Sequence, residues 1–208
     1  MKITIIIPVY NEQAHIEHML GSLAGQTIKP SQVIIVDDNS TDNTPSIIKK
    51  YVDTYPWITA VNTHKESKHS PGTKVIEAFY KGYEKCDLDA QLIGKFDADI
   101  ILPTNYLEKM IAIFASDNLV GMASGNLYIK KRDAWIFENI SEKTKVRGPI
   151  KLYKKECFEA IGGLKKSIGW DTVDGLLAAF HGWKIKTDPL LHVKHLKATG
   201  NAYTSGAK

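Results

Sequence analysis

A chain of 208 residues, 43% of them hydrophobic and 24% charged, is long enough to bury a full core, and a formal net charge of +4 is too mild to suggest a nucleic-acid partner. No stretch approaches the roughly 18–20 apolar residues of a membrane span, and Pro8 ends the short run in MKITIIIPVYNE before it reaches the length of a secretory leader. Two cysteines, Cys86 and Cys157, give neither a disulfide framework nor metal-ligand spacing, which leaves a soluble chain, or the soluble part of one, with reduced thiols.

Lys2–Ile7 is apolar and β-branched and predicts a first strand. Asn11 is placed to cap a helix whose apolar residues Ile16, Met19, Leu20 and Leu23 recur at three and four. Val33–Val36 predicts a second buried strand. Thr44 and Pro45 then read as an N-cap and a first helical position, with Ile47, Ile48, Tyr51 and Val52 on one face. A third strand is expected over Trp57–Asn62. After Gly72 comes a helix with Val75, Ile76, Phe79, Tyr80 and Tyr83 along one side. Leu92–Phe96 is a fourth strand, and Pro103 opens a helix carrying Leu107, Met110, Ile111 and Phe114. Strands alternating with helices imply an α/β domain, with right-handed crossovers and a mostly parallel central sheet flanked by helices.

The second half is less regular. Val120–Ile129 reads as a strand pair or one bent strand, and Ile150–Tyr153 as a strand. Lys154–Ile161 reads as a helix ended by Gly162 and Gly163. Leu176–Phe180 is helical in pattern, while Trp183–Lys186 and Leu190–Leu196 look extended. From Ala198 the chain is small and polar, as a mobile tail would be.

In open α/β sheets, ligands bind beyond the carboxyl ends of the strands. Three polar segments fall there: Pro8-Val9-Tyr10-Asn11-Glu12, Asp37-Asp38-Asn39-Ser40 and Asp97-Ala98-Asp99. Alternation puts Asp97 and Asp99 on one side of an extended strand. Two carboxylates beside an apolar run call for a positive partner, and oxygen ligands of this kind suit Mg²⁺ or Mn²⁺.

IIIPVYNE, VIIVDDNSTDNT, GKFDADIILP and LYKKECFEAIGG, in this order and spacing, resemble the successive signatures of family 2 glycosyltransferases. The likeness runs from the first residues to about His195. It implies a Rossmann-like domain of the GT-A type over 1–208, with a nucleotide-sugar half over about 1–100 and an acceptor half over about 101–195; the composition of 196–208 suits a mobile tail or a lid ordered by substrate. It implies an inverting, metal-dependent transfer from a nucleoside-diphosphate sugar, commonly a UDP-sugar, to a hydroxyl acceptor in polysaccharide, glycolipid or envelope-glycan synthesis. The setting it implies is cytoplasmic, with the inner face of a membrane and peripheral association with it left open.

Residue by residue, the resemblance gives Pro8, Val9 and Tyr10 to the base and ribose, Glu12 to the ribose and Asp38 to the base, with Asp37 holding the loop. Asp99 becomes the direct metal ligand, and Asp97 a ribose or metal-water contact. The family often completes the metal site with a histidine from a late strand, and His195 fits that place better than His192; a structural role is the alternative. Gly72 and Lys74 stand where the family closes over the nucleotide, without its Arg-Asn pair, and Lys74 as a solvated side chain is the competing reading. Asp171 takes the position of the general base, with Asp174 on the same helix face as second candidate and N-capping as the other use of Asp171. Trp170 replaces an expected Glu; it either stacks on an acceptor sugar or packs in the core. A sugar nucleotidyltransferase would carry a Gly- and basic-rich loop after the first strand, which PVYNE lacks. A non-catalytic nucleotide-sugar-binding or assembly domain remains the other alternative.

Overall fold

A computed structural model describes residues 1–63, 73–167 and 169–199. Strand β1 (Ile3–Val9) is followed by helix α1 (Ile16–Ala24), β2 (Gln32–Asp37), α2 (Thr44–Thr54) and β3 (Ile58–Asn62). Then come α3 (Lys74–Tyr83), β4 (Leu92–Phe96), the short β5 (Ile100–Ile101) and α4 (Tyr106–Ser116). The later part holds β6 (Val120–Lys131), β7 (Ala134–Phe137), β8 (Ile150–Lys154), α5 (Lys155–Ala160), α6 (Trp170–Phe180) and β9 (Lys184–His195).

The strands form one sheet in the order β3-β2-β1-β4-β8-β6-β9-β5, with β7 paired to β6. Its first half, β3-β2-β1-β4, is parallel throughout, as crossover helices between strands require. Beyond β4 the sheet is mixed: β8 runs antiparallel to β4 and β6, while β6 and β9 run parallel. Because side chains alternate across a strand, the sheet has a core on each face. Ile5 and Ile7 of β1 pack with α1, α2 and α4 residues such as Leu20, Ile48 and Phe114. Ile6 packs on the other face, with Phe79 of α3, Phe158 of α5 and Ala178 of α6.

Several boundaries differ from expectation, each for a local reason. Asn11 does not cap α1. It takes a left-handed backbone at φ 52°, which asparagine tolerates, and the Glu12 carbonyl receives the His15 and Ile16 N–H groups before the helix proper. Pro103 stands one turn ahead of α4, accepting the Tyr106 N–H at 3.0 Å. Val120–Lys131 is one long strand, and the two extended stretches near the end are one strand, β9. Between Ser124 and Asn126 the β6–β9 register jumps from Thr187 to His192. Gly125 makes that jump possible, since a Cβ there would lie 2.4 Å from the Leu191 carbonyl oxygen. Helix α6 begins at Trp170, well before Leu176, which puts Asp171 in its first turn. Glycines close α5 as expected, Gly162 and Gly163 at φ 68° and 67°. Among the described residues no helix is long and apolar enough to cross a membrane.

Candidate active site

The ends of β1 and β2 lie side by side, with Val9 opposite Asp37 in register. Their loops are sewn together by side chains. Asn11 Oδ1 accepts the Thr41 N–H at 2.8 Å, Ser40 Oγ accepts the Asn11 N–H at 2.9 Å, and Thr44 Oγ1 accepts the Glu12 N–H at 2.8 Å. Asp37 is buried and accepts the Ser40 N–H at 3.0 Å, so it holds this loop. Asp38 is half-buried and bonded to the Thr63 hydroxyl, while its own N–H reaches the Val9 carbonyl at 2.8 Å. Val9 is buried, Pro8 half-buried, and Tyr10 is 55% exposed, offering a ring to a ligand at this edge. Glu12 meets His15 Nδ1 at 3.1 Å and also binds Lys197, which reaches it from the far end of the chain. Lys74 is exposed at the start of α3; Gly72, His64 and His69 lie outside the described residues.

At the end of β4, Asp97 pairs with Lys95, a lysine from within the buried strand, and its N–H donates to the Pro149 carbonyl at 2.9 Å. Asp99 lies deeper. Burial first, and then the charge of Asp97, push its carboxyl up to about 6. Its Oδ1 faces His195 Nε2 at 3.7 Å, across the β5–β9 pairing that sets Ile100 against His195. The other ring nitrogen, Nδ1, donates to Glu138 Oε2 at 3.1 Å. Glu138 also accepts the Thr199 N–H at 2.7 Å and an Arg147 N–H at 3.3 Å. Burial works against its charge, but His195, the Thr199 N–H and Arg147 outweigh that and hold its carboxyl at about 2. Burial likewise disfavours a charged His195, yet Glu138, Asp99 and Asp97 raise its pKa. His192 points away from this centre, exposed and stacked on the Tyr128 ring with centroids 4.0 Å apart.

Asp99 and His195 fit a divalent cation. Two ligands about 2.1 Å from one ion sit roughly 3–4 Å apart, which brackets the observed spacing. Metal-binding histidines also tend to donate their second N–H to a carboxylate, the place Glu138 fills. Among the described residues no three His, Cys, Asp or Glu side chains converge closely enough to hold an ion by themselves.

The first turn of α6 brings Asp171 to the same strand end. A Cβ at Gly148 would lie 3.2 Å from Asp171 Oδ2, so the missing side chain of Gly148 makes room for it. Gly148 thus adjoins Asp171, and its neighbour Pro149 is bonded to Asp97. Asp171 is half-buried and supplies no cap hydrogen bond; Gly169 stands at the N-cap. Asp174, by contrast, is 0% exposed, with one oxygen bound by Lys151 Nζ and the other by the Tyr153 hydroxyl. Burial raises its pKa while Lys151 and Tyr153 work the other way. Of the two carboxylates, Asp171 is the one open to solvent. Trp170 is 9% exposed, and its ring centroid lies 5.1 Å from Lys95 Nζ and 5.5 Å from Lys151 Nζ, so it packs on two lysines.

Glu138, Arg147, Lys95 and Lys151 did not emerge from the sequence. For the lysines a signal exists: LIGKF and IKLYK are strand-like apolar runs, and a cation inside such a run implies a buried anion. Glu138 and Arg147 lie in an irregular stretch with no pattern to single them out.

The sheet order, with a parallel half extended by antiparallel strands and helices on both faces, is that of the GT-A glycosyltransferase structures it superimposes on. A family model described as "Glycosyl transferase family 2" matches residues 4–164, and the chain belongs to that family. A dolichol-phosphate mannosyltransferase of Pyrococcus furiosus is 27% identical over 218 residues, covering 100% of this chain and 57% of that protein. A validoxylamine A glucosyltransferase of Streptomyces hygroscopicus is 40% identical over 115 residues, 54% of this chain and 24% of that protein. The chain spans about half the length of the curated relatives it matches. Among solved structures, a mannosyltransferase from Pyrobaculum calidifontis in complex with GDP-Man and Mn2+ superimposes with a TM-score of 0.74 at 20% identity, over 98% of this chain and 59% of that one. TarS of S. aureus in complex with UDP-GlcNAc gives 0.74 at 20% identity, over 99% of this chain and 61% of that one.

Proposed function

We propose that this glycosyltransferase domain moves a sugar from a nucleoside-diphosphate sugar, a UDP-sugar first, to a hydroxyl of a glycan or lipid-linked acceptor, with inversion. The observation that carries the reading is that the adjacent residues Gly148 and Pro149 touch Asp171 and Asp97 respectively. A proton acceptor and a donor-side acid thus share one strand end. Tyr10 offers ring area to the base, Asp38 an acceptor for a base N–H, and Glu12 and Asp97 acceptors for ribose hydroxyls. Asp99 and His195 would hold a divalent cation, Mn²⁺ or Mg²⁺, which supplies positive charge against the leaving diphosphate. Neighbours solved with GDP-Man and Mn2+ or with UDP-GlcNAc support the donor and metal parts of this reading.

In the transfer, Asp171 takes the proton of the acceptor hydroxyl as its oxygen attacks the anomeric carbon. The bond from that carbon to the diphosphate oxygen breaks, and its electron pair leaves with the nucleotide. Attack from the face opposite the leaving group inverts the anomeric centre, and one base suffices for such a single displacement. A positioned base contributes about 10²–10⁴-fold, and the remainder rests on alignment and charge stabilisation.

A thermal-shift panel of UDP, GDP, UDP-glucose, UDP-GlcNAc and GDP-mannose, with and without Mn²⁺, tests the donor site. Stabilisation that needs both nucleotide and cation is expected, and lost on Asp99→Ala. The absence of any shift across the panel would sink the donor reading. Asp171→Asn should keep that stabilisation and lose transfer by about 10³-fold. Parent-like transfer by that variant would remove Asp171 as the base.

A further inference from the structure

Beneath the first turn of α6 lies a buried cluster of charges that the transfer itself does not use. Lys95 of β4 and Lys151 of β8 are register partners on adjacent strands, 2% and 1% exposed. Two cations side by side in a core are costly unless each has an anion. Lys95 has Asp97, and Lys151 has Asp174. Lys151 Nζ makes a second bond, to the backbone carbonyl oxygen of Asp171. The Tyr153 hydroxyl donates to the remaining oxygen of Asp174, so that carboxylate is held from two sides. Both lysines lie against the Trp170 ring, the residue that opens α6 immediately before Asp171.

We propose that Lys151, Asp174 and Tyr153 form a clamp that positions Asp171, and that Lys95 fastens the donor-side Asp97 to the same clamp. Residues of the clamp are positioning residues. This rests on the reading of Asp171 as the base. The argument is one of geometry and alternatives. Apolar side chains of similar volume would fill this space without burying any charge, and buried ion pairs replaced in that way often leave stability unchanged or raised. Stability therefore gives little reason for charges here. Apolar side chains could not, however, bond the Asp171 carbonyl or join β8 and α6 through directional contacts. Gly169 at φ 76° leaves the chain entering α6 without a side-chain cap, so the clamp is what bonds this turn to the sheet from below. The register pairing of Lys95 with Lys151 then gives Asp97 and Asp171 a common footing in the sheet.

The test uses the double variant Lys151→Met/Asp174→Leu of the full chain, which removes both charges together. Three measurements apply: thermal unfolding, amide hydrogen exchange over the Asp171–Gly175 turn, and release of nucleoside diphosphate from UDP-glucose, UDP-GlcNAc or GDP-mannose with Mn²⁺ and octyl glucoside. The double variant should unfold within a few degrees of the parent. Its Asp171–Gly175 amides should exchange about tenfold faster or more, and kcat should fall about tenfold to a hundredfold while the donor KM changes less than about twofold. Exchange and kcat both within about twofold of the parent would overturn the clamp. If the double variant does not fold, Tyr153→Phe, which deletes one oxygen, decides by the same readouts: a several-fold loss of kcat supports the clamp and none overturns it. If Asp171→Asn turns over like the parent, or the parent shows no turnover, the base reading fails by itself, and the exchange measurement alone decides whether the clamp holds the turn.

Discussion

The two sides of this site are built by different physics. On the side proposed for the donor, the loops after β1 and β2 are held by bonds that pair side chains of Asn11, Ser40, Asp42 and Thr44 with backbone N–H groups near the surface. On the side proposed for the acceptor, β8 and α6 are joined by Lys151, Asp174 and Tyr153, all three nearly or wholly inaccessible. Polar stitching at a surface is individually weak and tolerates loss of one member. A buried ion pair is the reverse: loss of one partner leaves a charge stranded in the core. The donor edge should therefore degrade gradually under substitution and the acceptor edge abruptly.

The largest effect should come from stranding the buried cation. Asp174→Ala leaves Lys151 without its anion and should cost about 3–5 kcal/mol in urea unfolding; a cost under 1 kcal/mol would erase the contrast between the two sides. Next comes Gly125→Ala, where the new Cβ would overlap the Leu191 carbonyl oxygen; overpacking of this kind costs about 1–3 kcal/mol, read as a lower urea midpoint with unchanged slope. Glu138→Gln tests the support behind His195. Removing that carboxylate should weaken Mn²⁺-dependent nucleotide binding about tenfold to a hundredfold by calorimetry; parent-like affinity would separate Glu138 from the cation.

The smallest effect belongs to the donor stitching. Burial opposes the charge of Asp42, but the Thr44 hydroxyl and the Thr44 and Gln13 N–H groups hold its carboxyl below the ordinary value of 3.8. Its folded pKa is depressed, so its contribution is complete above the unfolded value and fades as pH falls through the folded one. Asp42→Asn should lower the melting temperature by about 1–2 °C at pH 7, and the gap should narrow as pH falls below 3.8. A gap that widened in acid would reverse the sign of this contribution.

How much of the site is legible in the letters follows the same divide. The donor edge is written in contiguous segments, since a strand end and its loop are neighbours in sequence. Strand β4 matches the apolar run Leu92–Phe96 to the residue, and the helical faces of α1 and α4 appear as expected. What the letters hide is pairing at long range. Glu138 matters because His195 lies against it, 57 positions away, and Lys95 because Lys151 is its neighbour across a β4–β8 ladder. Asn11 shows a further limit, since a residue that caps helices also tolerates a left-handed turn and loop bonds, and only the packed loops decide between them. Asp171 and Asp174 look equivalent by spacing; the sheet beneath makes one half-buried and the other inaccessible.

Strand β9 carries a consequence for how the molecule is assembled. His195 is its last residue and meets Ile100, so bringing Asp99 and His195 together requires closing a loop of about a hundred residues. The parallel strands β1 to β4 can associate while the ribosome is still making the rest, but the imidazole beside Asp99 arrives after every other strand of the sheet has been synthesised. A nascent or prematurely stopped chain is thereby kept from bringing His195 to Asp99, and under the cation role proposed for that pair, cation-dependent protection during refolding should be the last signal to appear, marking the moment the sheet is whole.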